Sequence, residues 1–286
     1  MDYHVNGLVN DAPRLSQLLR QREKNLLPSP DVFFNFFRDP GLIYAFGLVL
    51  LMAIVSLVTG LKLEADLIYS TLRGFLQLSL VGFALIWIFS LESFWIIAAV
   101  LLVMTLLASR IAQGRGRGIP HVFPIVALAL GVSMTVTLSL LVLGKSISAE
   151  SRILIPLGGM LLGNSMNGAG LTLNRLKTEM ELRRSEILVY LSLGASSRQS
   201  VHKILQEVLR TSLIPAVDTM KVLGVISIPG MMAGMIVAGK SPLLAVRYQL
   251  IVMFMLLASA TFTNLIVLLL GYRQFFTRYH QLKSDW

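Results

Sequence analysis

The chain alternates between long apolar stretches and short polar segments. A membrane-spanning helix needs about 20 mainly apolar residues. The stretches that meet this requirement are 42–61, 67–89, 94–111, 122–143, 153–173, 213–238 and 249–270. The sixth is interrupted by Pro215 and by Pro229, and the number of spans becomes about six if this stretch is re-entrant. The pattern therefore predicts an all-α polytopic membrane protein with about seven transmembrane helices.

The longest polar interruption, 175–210, lies between the fifth and sixth apolar stretches. Gly194 is suited to end one helix, because glycine readily adopts the left-handed conformation at a helix C-terminus. Ser196 and Gln199 have the spacing of a capping box, which begins the next helix. Beyond Gln199, apolar and polar residues occupy opposite faces of that helix. We therefore predict a helix-turn-helix outside the membrane, which either docks a partner or is only a solvated helical loop.

Composition supports the membrane assignment. Of the 286 residues, 55% are hydrophobic and 14% are charged, whereas about a quarter of the residues in a soluble domain are charged. The chain has no cysteine, which excludes disulfides, thiolate metal sites and cysteine nucleophiles. Lys and Arg in cytoplasmic loops explain the net charge of +10, so nucleic acid is not an expected partner.

The distribution of Lys and Arg predicts the orientation. These residues are more frequent on the side that contains segment 175–210, and the positive-inside rule places that side in the cytoplasm. The N-terminus is then outside and the C-terminus inside. Residues 1–40 lack the apolar core of a signal peptide, and they form either a membrane-surface elbow or an N-terminal extension. A transmembrane domain at 41–282 and a C-terminal tail at 283–286 follow.

Residues 234–241 match the P-loop pattern GxxxxGK[ST]. A P-loop requires a preceding strand and a helix whose N-terminus faces phosphate. Here the preceding residues are apolar membrane sequence, and Pro242 follows at once. We therefore interpret Lys240 and Ser241 as the end of a span rather than as part of a nucleotide site.

A tight metal site made only of protein ligands is not expected. The histidines all lie in predicted tails or loops, at His4, His121, His202 and His280. The predicted spans contain no cluster of carboxylates. Several methionines are weak soft ligands but also ordinary packing residues; they are Met160, Met166, Met231, Met232 and Met235. We therefore assign no metal ligands, and a metal would cross as a chelate or through a transient site.

Four candidate pathway residues are polar or ionisable groups within predicted spans, where each charge costs about 2.5–3.5 kcal/mol. Arg73 and Gln77 lie four residues apart, on one face of the second span. Asp218 and Lys221 lie three apart in the sixth, where an ion pair would lower the penalty. Each pair lines a translocation pathway or has a structural role: Arg73 by extending to the membrane surface, and Asp218–Lys221 by holding helices together.

The fifth span combines small and amide residues. Gly159 and Gly163 are spaced as in the GxxxG motif, which allows helices to approach closely. Asn164 and Asn167 lie three apart, and they either line a pathway or join helices by hydrogen bonds.

Several of these segments together resemble a known family. They are 73–78 (RGFLQL), 155–166 (IPLGGMLLGNSM), 193–196 (LGAS), 214–221 (IPAVDTMK) and 228–234 (IPGMMAG). The chain resembles the FetB (YbbM) family of ABC-transporter membrane subunits, which includes plant aluminium-tolerance relatives. The similarity extends from about Gly41 to Leu282, and the N-terminal segment lies outside it.

The resemblance implies a permease without a catalytic site or a cofactor of its own. ATP and Mg²⁺ would be bound by a separate ABC ATPase, present in two copies with a permease homodimer in the bacterial plasma membrane. Bacterial members are associated with iron export and plant relatives with UDP-glucose transport. We therefore expect an exporter linked to iron or metal homeostasis. The alternatives are a UDP-sugar ABC permease, an ion-coupled secondary transporter with Asp218 as the ion carrier, and a non-transporting signal relay.

The polar segment also resembles the cytoplasmic loop of other ABC permeases, in which a short coupling helix sits in a cleft of the ATPase. The residues that this resemblance assigns to coupling are Arg183, Arg184, Glu186, Gly194, Ala195, Ser196 and Arg198. Glu186 lies further upstream of Gly194 than the acidic residue of the family pattern.

Overall fold

The structure is a computed structural model that describes residues 40–90, 93–116 and 118–283. The chain divides into two compact units, Met1–Leu91 and Glu92–Trp286. Almost all of the predicted N-terminal extension and its surface elbow lies outside the described residues, because the first described residue is Pro40. Residues 284–286 of the predicted C-terminal tail lie outside as well.

The described part of the first unit is a pair of helices, α1 (Pro40–Thr59) and α2 (Glu64–Ser90). Ser56 organises the turn between them, because its hydroxyl donates to Glu64 Oε2 at 3.0 Å and accepts from the backbone N–H of Leu63 at 2.9 Å. Further along the pair, the rings of Phe46 and Phe75 pack edge to face with centroids 5.5 Å apart.

The second unit contains eight further helices among its described residues. They are α3 (Phe94–Gln113), α4 (Val122–Leu143), α5 (Ser151–Leu182), α6 (Arg184–Ser192), α7 (Ser197–Ser200), α8 (His202–Val222), α9 (Gly230–Val237) and α10 (Pro242–Gly271). Short 3₁₀ turns at Gly114–Gly116 and Tyr272–Phe275 extend α3 and α10. α5 lies at the centre, in contact with α3, α4, α8 and α10. The core of this unit therefore forms around one long helix.

Length and composition together select five helices of the described chain as membrane spans. They are Pro40–Thr59, Glu64–Ile86, Phe94–Gly116, Val122–Leu143 and Pro242–Phe275. The all-helical polytopic architecture is confirmed, but the structure differs from the predicted count at 153–173 and 213–238. The first of these stretches forms part of α5, whose 32 residues are enough to cross a bilayer but whose asparagines and glycines lower its mean hydropathy.

The predicted interruption of the stretch 213–238 is confirmed at Pro229 but not at Pro215, so this stretch is not one continuous helix. α8 runs through Pro215 and ends at Val222. The chain then leaves the helix, with Gly224 at a left-handed φ of 74°, and α9 begins only after Pro229. Proline has no N–H to donate and restricts the residue before it to extended conformations, so it favours such a break. α9 has 8 residues, too few to cross a bilayer by itself.

The P-loop pattern at 234–241 does not form a nucleotide-binding loop. Gly234 lies inside α9, and Ser241 is the N-cap of α10, where its hydroxyl accepts from the backbone N–H of Leu244 at 3.3 Å. The described residues of this segment contain no strand ahead of the pattern. The interpretation of Ser241 as a helix end is confirmed.

Glycines on α5 allow its neighbours to approach closely, and one of them, Gly159, belongs to the predicted pair, because a Cβ there would lie 3.0 Å from Cε of Met104 on α3. A Cβ at Gly168 would lie 2.7 Å from Oδ1 of Asn264 on α10, and one at Gly158 would collide with Leu101 on α3. A Cβ at Gly163 would meet nothing within 4 Å. Among the described helices, the GxxxG prediction is therefore confirmed at Gly159 but not at Gly163, and Gly158 and Gly168 make further close contacts on the same helix.

Buried polar side chains join the helices of this unit. Ser165 on α5 shares a hydrogen bond of 3.0 Å with Ser259 on α10. Ser133 on α4 pairs with Thr263 on the same helix α10. The amide of Asn264 donates to the hydroxyl of Ser212 on α8 at 3.4 Å. Hydrogen bonds of this kind hold helices together where polar side chains are buried away from water.

We predict that Gly168→Ala destabilises the second unit, whereas Gly163→Ala does not. Alanine favours a helix over glycine by about 1 kcal/mol at both sites, but at position 168 its methyl group displaces the buried side chain of Asn264. Such overpacking costs about 1–3 kcal/mol. The melting temperature of the purified chain in detergent, followed by circular dichroism, should fall for the first variant only. Equal melting temperatures would contradict the close contact.

Candidate functional site

The turn between α6 and α7 is closed by two capping motifs. Gly194 has a φ of 86°, and its N–H donates to the carbonyl of Leu191 at 3.1 Å while that of Ala195 donates to Tyr190 at 3.0 Å. This pair of bonds is a Schellman motif. Ser196 and Gln199 then form the predicted capping box, with the Ser196 N–H donating to Gln199 Oε1 at 2.8 Å. We call residues 190–199 the coupling turn, and its predicted geometry is confirmed.

Arg183, which lies between α5 and α6, joins the start of the helix-turn-helix to α8. Its guanidinium donates to Glu207 Oε2 at 2.6 Å and pairs with Glu179 Oε2 at 3.0 Å. The pKa of Arg183 is raised above its ordinary value, mainly by the hydrogen bond with Glu207 and further by the charges of Glu207, Glu179 and Glu186. Arg183 therefore positions the helices, although sequence reasoning placed it among the residues that meet a partner.

The coupling turn has a buried side and an exposed side. Ile187 on α6 and Val201 ahead of α8 are completely buried, which anchors the turn to the second unit. Leu193, by contrast, is 78% exposed, and Glu186 and Arg198 are also exposed. Exposed apolar and charged residues on a rigid turn are typical of a docking surface.

A second segment contacts the coupling turn and was not predicted. After α10, the chain makes a short turn closed by a bridge between Phe276 and Leu282. Within it, Nδ1 of His280 lies 2.7 Å from the hydroxyl of Ser197 on α7. The guanidinium of Arg184 donates to the carbonyl of Lys283 at 3.5 Å. We call residues 276–283 the C-terminal turn.

The two turns border a groove of about 630 Å³. Its walls include Leu188, Gly194, Ser196, Tyr279 and His280, and Tyr279 is 85% exposed. The contact joins residues 83 positions apart in sequence, so no local pattern predicts it. The sequence signal for this contact was a group of aromatic residues after the predicted last span, namely Phe275, Phe276 and Tyr279.

The predicted pathway residues are exposed on three helices. Arg73 and Gln77 lie on α2 in the first unit, and both are exposed. In the second unit, Asp218 and Lys221 form the predicted ion pair on α8, with an N–O distance of 2.7 Å. Both of its side chains are more than half exposed. Their role in a pathway stays a prediction.

Asn164 and Asn167 are exposed on α5. The Asn164 amide makes only a long hydrogen bond, 3.5 Å, to the carbonyl of Leu256 on α10. Among the described residues, no hydrogen bond or ion pair joins these asparagines to Asp218 or Lys221. The polar seam between α5 and α10 is made by Ser165, one residue further along.

The part of the chain that the structure describes contains no group of three or more His, Asp or Glu residues able to hold a metal ion. These exposed polar groups therefore do not form a conventional metal centre in that part of the chain.

Comparison with known proteins decides the family. The model of an uncharacterised protein family, UPF0014, matches residues 40–276. The chain belongs to this family. Relatives that it resembles include Protein ALUMINUM SENSITIVE 3 of Arabidopsis thaliana, 38% identical over 84% of this chain and 88% of the relative. The chain is also 36% identical to the probable iron export permease protein FetB of Escherichia coli, over 85% of this chain and 94% of the relative.

A third relative, the UPF0014 membrane protein YjkA of Bacillus subtilis, is 37% identical over 78% of this chain and 89% of its own length. No solved structure matches the chain. The family match agrees with the resemblance noted in the sequence, and it covers the described helices and the coupling turn.

We predict that Gly194→Val disorders the coupling turn and that Gly194→Asn does not. Nothing lies within 4 Å of a Cβ at this position, so the two variants differ by backbone strain rather than by collision. The left-handed conformation costs most residues about 1–2 kcal/mol, whereas asparagine tolerates it. Hydrogen exchange of amides 188–199 should accelerate in the valine variant only. Equal protection in both variants would contradict the capping geometry.

We predict that His280→Ala loosens the C-terminal turn, because Ser197 then loses its partner. One hydrogen bond contributes about 1 kcal/mol, so amide exchange across 276–283 should become about fivefold faster. Gln281→Ala is the matched control, since Gln281 makes its hydrogen bonds to Thr277 through its backbone. The same acceleration in both variants would mean that the imidazole contact does not hold the turn.

Proposed function

We propose that this chain is the membrane-spanning permease subunit of an ABC transporter, driven by a separate ATPase. The observation that supports this proposal best is the coupling turn. It is capped at both helix ends, anchored by buried Ile187, and presents Leu193 and Arg198 on an exposed surface. A rigid exposed turn at the end of packed helices is suited to transmit force from a partner outside the membrane.

The path of the force follows from the helix contacts. α6 follows α5 with only Arg183 between them, and α8 packs along α5. The salt bridges of Arg183 join the end of α5 to α8. A displacement of the coupling turn therefore moves α5 and α8, which bear Asn164, Asn167, Asp218 and Lys221.

The proposed assembly contains two permeases and two ATPases. Asn164 and Asn167 are exposed on a helix within the bundle-forming part of the chain, and polar side chains rarely face lipid. A second copy or a water-filled pathway would cover them. In this proposal ATP and Mg²⁺ are bound by the partner ATPase. The permease spans the plasma membrane of a bacterial cell, and its coupling turn faces the cytoplasm.

Export linked to metal homeostasis is the proposed direction and role, because one relative is named a probable iron export permease. An ion-coupled secondary transporter remains the second candidate, with Asp218 as the carrier. The exposed, capped coupling turn favours the first candidate, because an ion-coupled transporter needs no ATPase partner outside the membrane.

We predict that Arg198→Glu uncouples the permease from its ATPase without unfolding it. Arg198 is exposed and makes no hydrogen bond or ion pair with other described residues, so its removal leaves the fold unchanged. Reversing a charge within a complementary interface costs several kcal/mol, and we expect affinity for the co-expressed ATPase to fall by about tenfold or more. Binding in lipid nanodiscs and transport-coupled ATP hydrolysis are the measurements.

Lys240→Glu is the matched control, because it makes the same charge change between α9 and α10, away from the coupling turn. Binding and hydrolysis should remain as in the original chain. Equal losses in both variants would remove the coupling turn from the interface. Uphill transport by the permease alone, without nucleotide, would overturn the proposed function.

A further inference from the structure

A cavity of about 700 Å³ lies at the end of the second unit opposite the coupling turn. Its walls come from the loop between α4 and α5, the first turns of α5, the helix α9 and the first half of α10. α5 has 32 residues and is therefore about 48 Å long, with this cavity at its beginning and the coupling turn just after its end. The volume is typical of sites for small organic ligands.

The charges that line this cavity are all of one sign. Lys145 and Arg152 line it, and no Asp or Glu is among its lining residues. Neither cation makes an ion pair within the described part of the chain. Glu150, the N-cap of α5, lies next to this loop but is not among the lining residues, so two cations stand against one nearby carboxylate. Such a site attracts anions and repels a hydrated metal cation.

Hydroxyl groups and thioethers complete the lining. Ser146, Ser148 and Tyr248 provide hydroxyl groups that donate hydrogen bonds to carboxylate or phosphate oxygens. Met160, Met231 and Met235 provide flexible apolar surface. A cationic rim above an apolar, adaptable wall fits an organic anion better than it fits a small inorganic ion.

The cavity continues toward the predicted pathway along one face of α5. Pro156 and Met160 line it, and Asn164 and Asn167 follow at spacings of four and three residues, which keeps them on the same side of the helix. All four positions are exposed. A ligand in the cavity therefore lies at one end of an exposed stripe that becomes polar toward the coupling turn.

We propose that this cavity binds the transported molecule as an organic anion with carboxylate or phosphate groups. A metal that crosses through this permease would then cross as an anionic chelate, not as a hydrated cation. The inference rests on the proposed transport function, and it defines the chemical class of the cargo. The lack of a metal-holding cluster in the described residues agrees with it, because a chelate brings its own ligands.

The test is equilibrium binding to the full chain in lipid nanodiscs, without ATPase or nucleotide. The probes are free citrate, ferric citrate, UDP-glucose and Mn²⁺, each titrated by calorimetry. We expect at least one of the anions to bind, with an affinity that falls as salt is raised. Binding of ferric citrate but not of free citrate indicates a site for a metal chelate. Binding of both citrates indicates a carboxylate site, and binding of UDP-glucose alone indicates a phosphate site.

The double variant Lys145→Gln, Arg152→Gln should raise the Kd of that anion by about tenfold or more. The charge-conserving variant Lys145→Arg, Arg152→Lys should retain most of the affinity, which separates loss of charge from loss of structure. Lys240→Gln is the control for a nearby cation outside the cavity lining. The melting temperature of each variant verifies that it is folded.

The proposal is overturned if no anion binds, or if the Kd is unchanged when both charges are removed. It is also overturned if Mn²⁺ alone binds and does so more tightly in the double variant. These outcomes are separate from the coupling measurements, because binding is measured without the ATPase. Loss of coupling in an intact anion-binding chain would instead contradict the proposed function.

Discussion

The packing of α5 against α10 is the constraint on which the second unit depends. Gly168 leaves no room for a side chain beside Asn264, and Ser165 and Ser259 share a buried hydrogen bond. Small residues bring two backbones together, and hydroxyl groups then find partners across the seam instead of remaining unsatisfied. This contact places one long, polar-bearing helix inside a bundle of more apolar ones.

Because α5 is continuous, it connects two sites with different chemistry. Its first turns line the cationic cavity, and its last turn is joined to α8 through Arg183. α10 runs alongside it and leads into the C-terminal turn, where His280 meets Ser197. In the proposed mechanism, a displacement of the coupling turn therefore acts on the C-terminal ends of both α5 and α10. Such a rigid connection supports the proposal that a separate ATPase subunit drives this permease.

Local patterns were sufficient where the interaction is local. The capping box at Ser196 and the helix end at Gly194 involve residues within a few positions of one another, and both were predicted. The ion pair between Asp218 and Lys221 lies within one helical turn and was also predicted. Arg183 was identified from its place in the segment, but its role as a clamp depends on Glu207, which is distant in sequence. The C-terminal turn went unrecognised for the same reason.

The sequence by itself determined that the chain is helical and polytopic, that a capped turn interrupts it, and that it resembles a permease family. These conclusions follow from hydrophobic periodicity and from turn chemistry, which act over short distances. Only the tertiary structure decided which glycines contact a neighbour, where 213–238 is broken between two helices, and that Lys145, Arg152 and the methionines share a cavity. Those features depend on which helix faces which, and such contacts join residues that have no fixed spacing along the chain.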